Sequence, residues 1–227
     1  MNCLGIQSFA EGACAAILCA ASVLAACGSE APRTAIIETA GSVTVTDVHG
    51  KPQRPLADAG QKATVLFFVL HDCPLANTCA PEINRIVTDY APRGVRSFLV
   101  YVENDLSAKA ARKHAKEHGF PCPALLDREG QLVRFTQVTT SPEVAVLAPD
   151  NTVRYRGRID DRLVAFGKQR VAPTRRDLRE ALDSILEGKP VPNPVTKAVG
   201  CYLPAVEDAK SQNPRRSIPK LENPKSE

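Results

Sequence analysis

The sequence predicts an α/β protein: a central mixed sheet flanked by helices, with a short hairpin before it and an extended arm after it. Three observations carry this reading. Ala63-Thr-Val-Leu-Phe-Phe-Val-Leu70 and Val95-Arg-Ser-Phe-Leu-Val-Tyr-Val102 are near-continuous apolar runs rich in β-branched and aromatic residues, as expected of strands covered on both faces. Each run is followed by a helical pattern, and alternating strands and helices build layered α/β architectures. Lys189 to Glu227 is rich in proline and charge and has no period, so it reads as an arm and tail without regular structure.

At 227 residues the chain has room for one full core, and its hydrophobic fraction of 44% is that of an ordinary globular protein. The net charge of +4 comes from interspersed charges of both signs, and there is no tryptophan. No basic stripe interleaves with stacking aromatics, so nucleic acid is not an expected partner.

From the N-terminus, Gly12 to Ala26 is almost wholly small or apolar, long enough for a signal peptide and short for a membrane-spanning helix. It ends in Leu24-Ala25-Ala26-Cys27, which resembles a bacterial lipobox with Cys27 as the lipid-modified residue. The domain plan is therefore a signal peptide over 1–26, a polar tether over 27–40, a folded domain over 41–188, and a proline-rich arm and tail over 189–227. The expected location is the bacterial cell envelope, lipid-anchored and facing the periplasm or exterior. No Lys or Arg precedes Arg33, and Met1 is the sole methionine, which leaves open a start farther upstream. After cleavage Cys73, Cys79, Cys122 and Cys201 remain as thiols, and free thiols in an oxidising compartment suggest redox traffic.

Ser42 to Asp47 alternates at period two and His49-Gly50 supplies a turn, so a hairpin precedes the first buried strand. After that strand, Pro74 suits the first position of a helix, which makes Cys73 the N-cap residue. Leu75, Cys79, Ile83, Ile86, Val87 and Tyr90 then mark one apolar stripe, with Asn77, Glu82, Asn84 and Asp89 on the polar side. Unpaired N–H groups and the positive end of the helix dipole favour a thiolate at Cys73, the candidate nucleophile. Cys79 reads as a core thiol: six helical residues place it roughly 9 Å along the axis, beyond the ~7 Å reach of a disulfide.

Ser107 caps a second helix that ends at Gly119. His114 and His118 stand at i and i+4 there, a spacing that can hold a metal but equally suits cationic side chains at a helix C-terminus, and no metal is expected. Phe120 to Asp127 contains Pro121 and Pro123 around Cys122 and reads as an edge strand. A short helix covers Gly130 to Val138, and strands at Ala145–Leu147 and Val153–Arg156 flank the turn at Pro149-Asp150-Asn151. The charged run Arg158 to Arg162 reads as a solvated loop. Thr174-Arg-Arg-Asp177 resembles a capping box for a last helix whose Leu178, Ala181, Leu182, Ile185 and Leu186 face the core.

Strand, then Cys73-Pro-Leu-Ala-Asn-Thr-Cys-Ala-Pro81 opening a helix, resembles the active-site element of the thioredoxin fold, and Thr140-Ser141-Pro142-Glu143-Val144 resembles its cis-proline loop. The resemblance spans roughly residues 41–188 and is nearest to the redoxin, alkyl hydroperoxide reductase and TlpA-like branches. It implies thiol oxidoreductase chemistry without a cofactor, and a cis Pro142 that packs against Cys73 and shapes a groove for a partner's extended segment. The chain departs from the usual Cys-x-x-Cys, because Ala76 stands at the second position. It also lacks the Pro-x-x-x-Thr/Ser-x-x-Cys of peroxiredoxins, since residues 66–72 supply neither the proline nor the hydroxyl.

The leading functional expectation is a membrane-tethered thiol–disulfide oxidoreductase acting on protein thiols or disulfides, with Cys73 as nucleophile, Pro142 beside it, and Cys201 or Cys122 as the resolving thiol. A thiol peroxidase passing through a Cys73 sulfenic acid is the alternative. A third reading is a copper carrier built from Cys73, Cys79 and a histidine such as His71, since soft thiolates suit cuprous ions. Cys201 lies in a mildly apolar patch, Pro194 to Leu203, whose Thr-Lys-x-x-Gly-Cys pattern resembles the ends of redoxin-like sequences. A docked functional segment and a structural clip both fit it.

Overall fold

The structure, a computed structural model, describes residues 43–57 and 60–204; the expectations for the signal peptide, Cys27, the tether and the tail from 205 onward lie outside the described residues. The chain runs β1 (Val45–Asp47), β2 (Pro52–Gln53), β3 (Ala63–Val69), α1 (Pro74–Tyr90), β4 (Val95–Tyr101), α2 (Ala108–Glu117), β5 (Ala124–Leu126) and α3 (Gln131–Thr136). It continues through β6 (Thr140–Ser141), β7 (Glu143–Leu147), β8 (Val153–Gly157), β9 (Leu163–Ala165), β10 (Lys168–Gln169), α4 (Asp177–Leu186) and β11 (Cys201–Tyr202). Seven strands form one mixed sheet in the order β2-β1-β5-β4-β3-β7-β8. Its centre is the parallel pair β3–β4 in register Ala63↔Val95 to Val69↔Tyr101, with β7 antiparallel on the far side of β3. This is the thioredoxin-like α/β arrangement. Among the described residues no helix is long and apolar enough to cross a membrane.

All seven residues of β3 are buried, which is why the strand is apolar except for Thr64 near its start; a polar group buried there loses its hydrogen bonds to water. The strand therefore stands rigidly in the core and delivers its C-terminal loop, with Cys73, to the start of α1. Pro74 occupies the first turn of that helix and Cys73 takes the extended N-cap conformation. Cys79, Ile83, Ile86, Val87 and Tyr90 face the core as the period requires.

Four expectations change. The Phe120–Asp127 segment is not an edge strand. Only Ala124–Leu126 pairs, beyond both prolines, and it lies between β4 and β1 because the N-terminal hairpin joins the main sheet outside it. Glu82 is buried rather than on a solvated face; Arg179 and Arg85 bond its carboxylate, and these partners hold it below the usual carboxylate range against the cost of burial. Residues 158–162 are not a solvated ion cluster either. Ile159 and Asp161 are buried, Arg158 pairs with the buried Asp177 at 2.8 Å, and Asp161 accepts from the backbone N–H groups of Thr174 and Arg175. Thr174 consequently does not cap α4: its hydroxyl bonds Asp161, and the helix starts after Arg176 without a side-chain cap. Local spacing suggested the capping box, but a carboxylate thirteen residues upstream outcompetes the helix's own N–H groups for that hydroxyl.

The arm also contains structure. Thr196 N–H donates to Arg156 O at 3.0 Å, and Arg156 N–H donates to Pro194 O at 2.9 Å, so the chain lies parallel to the end of β8. Farther on, β11 pairs antiparallel with β6 in register Cys201↔Ser141 and Tyr202↔Thr140. Thus at least this part of 189–227 is ordered by pairing that no periodicity could announce.

Candidate functional site

The site forms where the C-terminal end of β3, the first turn of α1, β6 and the arm converge. The Ser141–Pro142 peptide is cis. Ser141, the residue before it, holds the site from two sides. Its hydroxyl accepts from Leu70 N–H at 2.8 Å at the end of β3, and its carbonyl oxygen lies 3.3 Å from Cys73 Sγ. Cys73 is 1% exposed. Opposite it stands Cys201, half-buried, with its Sγ 2.7 Å from Cys73 Sγ; both are free thiols. A disulfide needs about 2.05 Å between sulfurs, so the pair can bond with a sub-ångström shift and no rearrangement of the domain.

The arm reaches this position through two close backbone approaches. Gly157 has φ +147°, and a β-carbon there would overlap the Thr196 hydroxyl and carbonyl. At Gly200 a β-carbon would overlap the Ser141 carbonyl and come within 3.0 Å of Pro142 N. Only a residue without a side chain lets the arm lie against the cis peptide. Between them, Thr196 Oγ1 accepts from Arg158 N–H at 3.1 Å and lies 2.7 Å from the Tyr155 hydroxyl. Threonine, glycine and cysteine of the Thr-Lys-x-x-Gly-Cys pattern thus act as anchor, clearance and thiol.

A second set of groups fixes the loop before Cys73. Glu103 Oε1 accepts from His71 N–H at 2.6 Å and lies 2.9 Å from His71 Nδ1. Asn77 donates to His71 O at 3.4 Å, and its Oδ1 is 2.8 Å from His114 Nε2; the Tyr101 hydroxyl meets His114 Nδ1 at 2.7 Å. His114 is therefore a buried structural residue and not half of a metal pair with His118. Glu103 carried no signal in the sequence, and Asn77 and Ser141, though they lie in the quoted motifs, gave no sign of these contacts, which are made across the fold.

Burial pushes the His114 ring down to about 4, with the neighbouring His118 and His71 adding to the effect. A histidine whose folded pKa is depressed below its ordinary 6.5 stabilises the fold above pH 6.5 and loses that stability as pH falls toward 4, because the unfolded chain takes the proton first. The urea midpoint of the domain is expected to drop across this window by the equivalent of on the order of 2 kcal/mol, and His114→Gln to remove that part of the slope. A midpoint equally pH-dependent in the variant would show that another group is responsible.

The other described cysteines, Cys79 and Cys122, are both free thiols. Burial raises Cys79 to about 11; it lines a small cavity with Pro142, Ile159 and Val199. Cys122 is raised to about 12, also by burial, and lines a different cleft with Arg112, Phe120 and Ala124. The structure therefore brings Cys201, and not Cys122, to Cys73. Among the described residues no metal-capable group joins Cys73, Cys79 and a histidine; the group whose ligand atoms lie within 4.8 Å of one another is His71, Asp72 and Glu103.

A buried strand ending in a cysteine at a helix N-terminus, a cis-proline peptide against that cysteine, and a mixed sheet in this order define a thioredoxin-like protein. The Redoxin family model matches residues 28–164, and the chain belongs to that family. Among solved structures it is similar to an uncharacterized conserved protein from Geobacillus kaustophilus, with 27% identity and a TM-score of 0.63 over 73% of this chain and 89% of that one. It is also similar to a hypothetical protein from Sinorhizobium meliloti, with 20% identity and a TM-score of 0.63 over 71% of this chain and 89% of that one. No curated protein matches.

Proposed function

We propose that this Redoxin-family protein is a thiol–disulfide oxidoreductase whose redox centre is the pair Cys73 and Cys201. The observation that carries the reading is the 2.7 Å separation of two free sulfurs that are 128 residues apart in sequence. Membership of the family implies protein thiols or disulfides as substrates. Cys201 takes the place of the missing second cysteine of Cys-x-x-Cys. In the cycle the dithiol gives up two electrons and two protons as the Cys73–Cys201 bond forms, and a partner disulfide is reduced to two thiols; the reverse cycle oxidises a partner dithiol. Cys73, at the start of α1, is the internal nucleophile whose thiolate closes the bond.

Leu24 to Cys27 supports a lipid anchor at Cys27 and a place on the bacterial cell envelope, where palmitate labelling of wild type and not of Cys27→Ala is the test.

The redox centre is tested by disulfide mapping of the oxidised protein by mass spectrometry. The expected product is a single Cys73–Cys201 bridge, with Cys79 and Cys122 alkylated after denaturation. A bridge from Cys73 to Cys122 would overturn the pairing. A Cys73 that stays unpaired and overoxidises with peroxide would favour the peroxidase instead.

A further inference from the structure

We infer that Cys201, and not Cys73, is the sulfur that exchanges with external thiols, so that the mixed disulfide with a partner forms on the arm. The inference rests on the Cys73–Cys201 redox centre proposed above and says which of its two ends faces the partner.

Thiolate attack on a disulfide requires an open approach to the sulfur that is attacked, opposite the sulfur that leaves. Cys73, at 1% exposure, offers no such approach. It belongs to the apolar core cluster, Ser141 O lies 3.3 Å from its sulfur, and Cys201 stands on its remaining side. The arm that covers it is held by the pairing of Cys201 with Ser141 and of Tyr202 with Thr140, with Gly200 close against the Ser141–Pro142 peptide. Cys201 is only half-buried, so of the two cysteines it is the more accessible. Tyr202, the next residue of the arm, is 85% exposed.

The choice of leaving group agrees with the choice of entry. When a partner thiolate attacks Cys201 Sγ, the new bond joins partner sulfur and Cys201, the Cys201–Cys73 bond breaks, and its electron pair goes to Cys73. That thiolate is left at the N-terminal end of α1, where the dipole favours negative charge. The opposite outcome leaves the charge on Cys201, whose thiol burial pushes up to about 11, with Cys73 and Asp72 adding to the effect. Negative charge is thus better placed at the helix start than on the arm. A second thiolate of a dithiol partner then attacks the partner sulfur of the mixed disulfide, releasing Cys201 as thiolate. Two electrons have passed from the partner dithiol to the protein, and Cys73 and Cys201 each take a proton from water. The partner class is accordingly a dithiol with an accessible nucleophilic cysteine. In the reverse direction Cys73 attacks Cys201 and expels the partner.

The experiment starts from the full-length oxidised protein, whose Cys73–Cys201 bridge is first verified by mapping; its absence would defeat the redox centre itself. Reduced glutathione is added, the reaction is quenched with acid at successive early times, and the glutathionylated cysteine is located by mass spectrometry. The expected adduct is on Cys201 with Cys73 free. An adduct on Cys73, or equal amounts on both, overturns the inference while leaving the redox centre intact. If neither adduct accumulates, Cys73→Ser and Cys201→Ser proteins are compared with oxidised glutathione. The inference then requires Cys201 in the first to be modified at least about tenfold faster than Cys73 in the second, and equal or reversed rates overturn it.

Discussion

Cys73→Ser and Cys201→Ser each reduce disulfide exchange to the uncatalysed rate, whereas Cys122→Ser and Cys79→Ala stay within about twofold of wild type. The measurement is turnover of a fluorescently labelled peptide disulfide with excess dithiol as reductant. The large and equal losses follow from geometry: each residue supplies one sulfur of a pair 2.7 Å apart, and no other described cysteine is placed to substitute. Serine keeps the size of either side chain but cannot form the bond, so the fold is retained while chemistry is lost. If Cys201→Ser kept most of the activity, the arm would be a clip and not part of the redox centre.

The second large effect is expected at a residue with no chemistry. Gly200→Ala places a methyl group where the Ser141 carbonyl stands, and that obstacle is backbone, which cannot rotate away. The arm must lift, and Cys201 moves with it. A displacement of about 1 Å at a reacting centre costs roughly 10²-fold in rate, so closure of the Cys73–Cys201 bond by oxidised glutathione is expected to slow by about that factor. The seven-stranded sheet does not include this segment, so the circular dichroism of the variant should match wild type. Stopped-flow measurement of bond closure decides it; an unchanged rate would mean that the arm approaches Cys73 by a route other than the one described.

These two expectations show where the sequence could be read and where it could not. Burial on both faces forces β3 into a near-continuous apolar run, and the fixed backbone of Pro74 marks a helix start, so both the strand and the position of Cys73 were visible in consecutive residues. The partner of Cys73 was not. The candidates Cys122 and Cys201 differ only in what the backbone does near them, and the deciding contacts involve glycines at 157 and 200 and a hydroxyl at 196, each far in sequence from what it touches. The misread strand at Ala124–Leu126 has the same origin. Its prolines gave a true local rule, but the strand is shorter than the run containing them, and the N-terminal hairpin closes the sheet beyond it. Asp161 likewise claims Thr174 across a loop, a competition that local spacing cannot display.

The separation of 128 residues between the two thiols has a consequence for the whole chain. A bond between them encloses α1 through α4 in one covalent ring, and closing a ring of that length removes disorder from the unfolded chain equivalent to roughly 5 kcal/mol. Oxidised and reduced protein are then two polymers of different connectivity, one cyclic over most of its folded length and one linear, that share a single fold. Each electron pair passing through the site therefore also changes how easily the chain can come apart.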